Sequence, residues 1–124
     1  MTDHRQRILV VDDEPAICRS CVKILSRDGW QVATAANGLE ALEQMAVDPA
    51  DLVITDLKMQ RLGGMELLRR IRDNFPHTRV VVMTGFASVA SAVEVMKLGA
   101  GDYLPKPFTP DELRAVVHQV LTAA

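Results

Sequence analysis

The sequence predicts an α/β fold, an open doubly wound parallel sheet of five strands with helices on both faces. Short aliphatic runs alternate with helical periodicity five times along the chain. The runs are apolar throughout rather than alternately polar, which marks strands buried on both faces. Strict alternation of strand and helix calls for a parallel sheet covered by its crossover helices. Five such units are too few to close an eight-stranded barrel.

The first strand is placed at 8–11 and runs straight into Asp12-Asp13-Glu14. Pro15 opens a helix that extends to about Arg27 and stops at the turn signal Asp28-Gly29. The second strand, 31–35, leads to a helix starting near Asn37, with Leu39, Leu42 and Met45 inward, that ends before Pro49. The third strand, 52–55, precedes a helix from about Gly64 with Met65, Leu68 and Ile71 on one stripe, ending before Pro76. The fourth strand, 80–83, is followed by a helix from about Ser88 that carries Val89, Val93 and Met96 and stops at Gly99. The fifth strand is short, 103–104. Its helix begins with Thr109 as N-cap and Pro110 in the first helical position, and buries Leu113, Val116, Val117, Val120 and Leu121.

At 124 residues the chain is expected to form one domain, 1–124, long enough for a single core. Nothing in it resembles a linker or a low-complexity tract. Fourteen basic and sixteen acidic residues give a net charge of −2, which predicts no bulk attraction to nucleic acid or to an anionic membrane. The polar start, MTDHRQR, lacks the apolar stretch of a signal peptide. The longest uncharged run, 80–93, is 14 residues, short of the roughly 18 that a spanning helix needs. Cytoplasm is the expected location. Cys18 and Cys21 fall inside the first helix on the face of Ile17, Val22 and Leu25. With no second cysteine pair or paired histidines to complete a zinc site, they are expected to be buried structural thiols.

In open parallel sheets, ligands bind beyond the carboxyl ends of the strands. The first strand delivers Asp12, Asp13 and Glu14 there, the third Asp56, the fourth Thr84 and Gly85, the fifth Lys106 and Pro107. Two carboxylates 4 Å apart repel by roughly 4 kcal/mol at an effective dielectric of 20, so a proton or a cation must enter. Oxygen ligands without His or Cys favour Mg²⁺. A carboxylate can also attack phosphorus to give an acyl phosphate. A cation, a lysine and a hydroxyl are what a transferring phosphoryl group needs around its oxygens.

The pieces VVDDE, DLKM with Gly64, MTG and GAGDYLPKPF, in this order, resemble the CheY-like receiver domain of two-component response regulators over essentially the whole chain. The resemblance implies a flavodoxin-like (βα)5 fold with strand order 2-1-3-4-5. It implies Asp56 as phosphoacceptor, and Asp13 and Asp56 as Mg²⁺ ligands with the Lys58 backbone carbonyl. Asp12 would act through a metal-bound water. Thr84 and Lys106 would hold phosphoryl oxygens, and Tyr103 would be the aromatic that reports the state of Thr84. The Lys106–Pro107 peptide is usually cis in the family. A sensor histidine kinase would supply the phosphoryl group, with no enzymatic turnover beyond self-directed transfer and autodephosphorylation.

Phosphorylation would then shift a surface of fourth helix, fifth strand and fifth helix, used by similar domains for homodimers or output contacts. The segment MTGFASVASAVEVMKLGAGDYLPKPF is closest to receivers attached to DNA-binding transcriptional activators, which makes the chain a stand-alone receiver or the N-terminal part of a longer regulator. Gln60 and Gly63 depart from the family's usual Pro and Asp or Asn, which predicts a more mobile loop after the third strand. Lys58 and Phe86 flank the approach of hydrolytic water, and Phe86 is expected to shield the acyl phosphate. Two other readings fit less well. A haloacid-dehalogenase-type phosphatase wants a second Asp where Lys58 stands, and a flavin or nucleotide module wants a phosphate-binding loop where Asp12-Asp13-Glu14 would repel it.

Overall fold

The computed structural model describes residues 6–123. The elements run β1 (Arg7–Val11), α1 (Pro15–Ser26), β2 (Gln31–Ala35), α2 (Gly38–Val47), β3 (Leu52–Asp56), α3 (Gly64–Asn74), β4 (Arg79–Thr84), α4 (Val89–Lys97), β5 (Asp102–Pro105) and α5 (Pro110–Thr122). The five strands form one parallel sheet in the order β2-β1-β3-β4-β5. The four helices α1 to α4 are therefore crossovers, α5 follows the last strand, and the sheet is doubly wound as the alternation predicts.

Both faces of the sheet are covered, which is why the middles of its central strands are apolar on both sides. Leu9, Val11, Val53, Val80 and Val82 point to a core shared with Ala41 and Met45 of α2, Leu67, Leu68 and Ile71 of α3, and Val95 of α4. Ile8, Val10, Ile54, Val81 and Met83 point the other way, against Cys18, Cys21 and Leu25 of α1 and Leu113, Val117 and Val120 of α5. Each large aliphatic side chain so buried contributes roughly 1.5–3 kcal/mol. The helix ends follow local chemistry. Thr109 and Glu112 form the capping box of α5 with Pro110 behind it, and Gly29 and Gly99 take left-handed φ of 88° and 101° where α1 and α4 stop.

Two helices turn differently from the periodicity reading. In α4 the inward line is Ser91, Ala92, Val95 and Leu98, of which only Val95 is fully buried, while Val89 is 83% exposed and Val93 and Met96 face solvent. In α2 the buried line is Gly38, Ala41 and Met45, and Leu39 lies outside. Small residues share the inward packing in both cases, Gly38 and Ala41 in α2 and Ser91 and Ala92 in α4, so the larger apolar residues Leu39, Val89, Val93 and Met96 beside them mislead. Cys18 and Cys21 are free and buried, as expected. Among the described residues no helix is long and apolar enough to cross a membrane.

Candidate functional site

The sheet extends one residue further than the apolar runs at two places that matter. Asp56 closes β3, paired with Met83, and Thr84 closes β4, paired with Pro105. Their backbones are thus held by the ladder rather than by a loop. Asp12 follows β1 directly, its amide donating to the Ala35 carbonyl at 3.1 Å. The Asp12 carboxylate accepts from the Glu14 amide at 2.9 Å, a local turn rather than a helix cap, and Glu14 caps α1 without a side-chain bond.

Lys106 ties these strand ends together. Its amide donates to the Thr84 carbonyl at 2.8 Å, and its Nζ donates to Asp12 Oδ2 at 2.8 Å and to Asp56 Oδ2 at 3.0 Å. Glu14 Oε1 stands 3.7 Å from the same nitrogen. The Lys106–Pro107 peptide is cis. Oxygen atoms of Asp12, Asp13 and Asp56 lie within 4.8 Å of one another. Asp13 is exposed and makes no hydrogen bond or ion pair among the described residues. Four carboxylates, those of Asp12, Asp13, Glu14 and Asp56, thus share one ammonium, an excess of negative charge that a hard cation would balance.

The protonation behaviour follows from this crowding. Burial pushes the Asp12 carboxyl above its ordinary range, and the Lys106 ammonium only partly reverses that. Burial acts to lower the Lys106 pKa, but its hydrogen bonds to Asp12 and Asp56 outweigh it and hold the ammonium above its usual value. Burial also raises both thiols, Cys21 to about 12, so the pair is inert.

Thr84 is fully buried, and its Oγ1 accepts from the Phe86 amide at 3.0 Å, so it does not cap α4. Ser88 does, in a capping box with Ser91. The Tyr103 hydroxyl joins that box, 2.7 Å from Ser91 Oγ and 3.3 Å from the Ser88 amide that donates to it. The serine spacing was visible in the sequence, but its link to Tyr103 depends on β5 lying beside α4 and was missed. Lys58 donates its amide to Asp56 Oδ1 at 3.3 Å, and its Nζ lies 4.4 Å from the centroid of Phe86. These two residues therefore meet across the mouth of the site. A hollow of about 390 Å³ beside Asp13 is lined by Leu57, Lys58, Met59 and Gln60. Gly64 is required behind it, since an added Cβ would overlap the Asp56 carbonyl oxygen.

Comparison with known proteins identifies the family of the chain. The family profile described as response regulator receiver domain matches residues 8–118. Response regulator MprA of Mycobacterium ulcerans is 42% identical over 93% of this chain and 50% of its own length. Transcriptional regulatory protein ZraR of Klebsiella oxytoca is 40% identical over 98% of this chain and 27% of its own. The chain thus spans half or less of these two relatives. Among solved structures, a receiver domain protein from Clostridium thermocellum superposes with a TM-score of 0.86 at 37% identity, covering 94% of each chain. The receiver domain of NtrX from Brucella abortus gives 0.89 at 35%, covering 94% of this chain and 99% of that one.

Proposed function

The chain belongs to the response regulator receiver family, and on that premise we propose that Asp56 accepts a phosphoryl group and thereby switches an output surface. Receiver domains of response regulators are phosphorylated by sensor histidine kinases and act as signalling domains rather than as classical enzymes. The observation that carries the assignment to Asp56 is the Lys106 ammonium set between Asp12 and Asp56, with Asp13 unpaired beside them. That is an acidic site with one fixed cation and room for another.

An Asp56 carboxylate oxygen attacks phosphorus of a phosphohistidine. The P–O bond forms as the P–N bond breaks, and the imidazole leaves with the electron pair and takes a proton from solvent. The donor set fits Mg²⁺, being all oxygen with one free carboxylate. Asp13 and Asp56, with the Lys58 carbonyl, would hold it directly, and Asp12 through water. Bound there, the ion supplies charge neutralisation to the phosphoryl oxygens. Lys106 stays charged throughout and pairs with one phosphoryl oxygen, exchanging Asp56 for the new anion. Thr84, whose hydroxyl oxygen accepts from the Phe86 amide, would donate its hydroxyl proton to another. A hydrolytic water must pass the Lys58–Phe86 pair.

We read the chain as one receiver unit working in the cytoplasm, either alone or as the leading part of a longer transcriptional regulator. Its output passes through α4, β5 and α5, to a partner domain or a second copy.

Intact-mass measurement after incubation with acetyl phosphate and Mg²⁺ tests the assignment. One added phosphoryl group is expected for the wild type, and none for Asp56→Ala or for wild type with EDTA. Equal labelling of the Asp56 variant would reject it.

A further inference from the structure

The segment 57–63, between Asp56 and α3, takes a conformation its own residues disfavour. Arg61 and Leu62 both have left-handed φ, 56° and 81°, and neither is glycine. Something outside the segment must hold them there. The contact that does so comes from α2. Gly38, the first residue of that helix, donates its amide to the Leu62 carbonyl at 3.2 Å. This amide belongs to the helix's first turn and has no partner within the helix. Asn37 caps the same turn but serves Glu40, at 3.0 Å. The Leu62 side chain also packs onto the core beneath α2 and α3.

The approach is so close that only glycine fits. A Cβ at position 38 would lie 2.5 Å from Leu62 Cδ2 and 2.6 Å from the Leu62 carbonyl oxygen. The second clash is with backbone, so the segment itself would have to move. The same segment carries Lys58, Met59 and Gln60, which wall the hollow beside Asp13.

We propose that Gly38 is a positioning residue for the metal-binding step. Its amide and its lack of a side chain staple Leu62, and so fix where the Lys58 carbonyl stands relative to Asp13 and Asp56. The proposal rests on the Mg²⁺ reading of the acidic cluster. It makes α2, which supplies no ligand, a determinant of metal affinity.

The test follows backbone amide signals of Lys58, Met59 and Gly64 by NMR, first without metal and then through a Mg²⁺ titration. Gly38→Ala is expected to shift the signals of 57–63 in metal-free protein and to raise the Mg²⁺ half-saturation about five-fold or more. Leu62→Gly, which loosens the staple from the other side, should act in the same direction. The double variant should be little worse than either alone, because both remove one contact. Ala46→Gly, an exposed site in α2, should lower the melting temperature without changing the half-saturation. Unchanged loop signals in Gly38→Ala, additive losses in the double variant, or an equal effect of Ala46→Gly would each overturn the staple. A wild type with no saturable Mg²⁺ response overturns the metal reading instead, and the metal-free signals still decide whether the staple exists.

Discussion

Lys106 decides the electrostatics of the site, because it is the single ammonium shared by two buried carboxylates. Asp12 bears most of the cost, since burial raises its pKa despite the lysine. A carboxyl raised in the folded state binds protons there more readily than in the unfolded chain. Stability therefore falls as pH rises from the ordinary value of 3.8 through the raised one. Lys106, also raised, keeps its contribution below 10.5 and loses it as pH climbs through its folded value. Asp12→Asn should remove the acid-side fall and raise the melting temperature of the metal-free protein at neutral pH. Thermal melts across pH, with and without Mg²⁺, check this. A lower melting temperature in EDTA would mean that the Lys106 pairing outweighs the burial. Phe86 supports a second prediction. Its ring is 66% exposed and held by Lys58, a contact worth about 0.5–1 kcal/mol. Phe86→Ala and Lys58→Ala should both shorten the acyl-phosphate lifetime a few-fold, read by loss of the added mass over time. A lifetime unchanged in both variants removes the shield. The site was legible only as a set, because four of the five strand ends deliver polar side chains to one edge, whereas Asp56 or Thr84 taken alone reads as a helix cap. What could not be read was the partner of each, such as Lys58 on Phe86 or Tyr103 on Ser91.

At the level of elements, α4 is the least anchored helix. It buries one side chain fully, Val95, and its start is secured by hydroxyls, Ser88, Ser91 and Tyr103. An element held by few apolar contacts is free to occupy two positions separated by a small free energy. Tyr103 is bonded to α4 in the form seen here, so its hydroxyl must leave Ser91 if the ring is to follow Thr84 toward a phosphoryl group. Ser91→Ala removes a bond that this form makes and that the switched form would give up. The expected result is tighter binding of beryllofluoride, a phosphoryl mimic, by about five-fold, since a hydrogen bond contributes roughly 1 kcal/mol. Beryllofluoride titration followed by NMR measures it, because Trp30 packs tilted against His118 before β2, at the far end of the sheet. Unaltered affinity would mean that the Ser91 bond persists in both forms. The boundaries of the elements were legible from turn residues and caps. The facing of α4 was not, because its apolar stripe of Val89, Val93 and Met96 has the periodicity of a buried face yet lies outside. Hydrophobic spacing says which residues share a side, and only packing says which side is covered.

For the molecule as a whole, the fold class followed from alternation, whereas strand order came from resemblance, since periodicity does not encode which strands are neighbours. That order puts α4, β5 and α5 together at one edge of the sheet. Val89, Val93 and Met96 are exposed along one side of α4 at spacings of four and three, beside the exposed ring of Phe86. A line of exposed apolar side chains on a helix face is the feature a protein contact would use. A second copy meeting it by two-fold symmetry would bring the same line against itself, so one charge per chain becomes two like charges in the interface. Phosphorylated or beryllofluoride-bound protein is therefore expected to sediment as a dimer, and the unmodified protein as a monomer. Val93→Glu should abolish the dimer while changing the melting temperature little, since an exposed substitution usually costs within about 0.5 kcal/mol. It should leave phosphorylation of Asp56 intact, because the acidic cluster is built from β1, β3 and β5. A dimer that survives Val93→Glu assembles through another face, and the apolar line of α4 would then belong to an output domain instead.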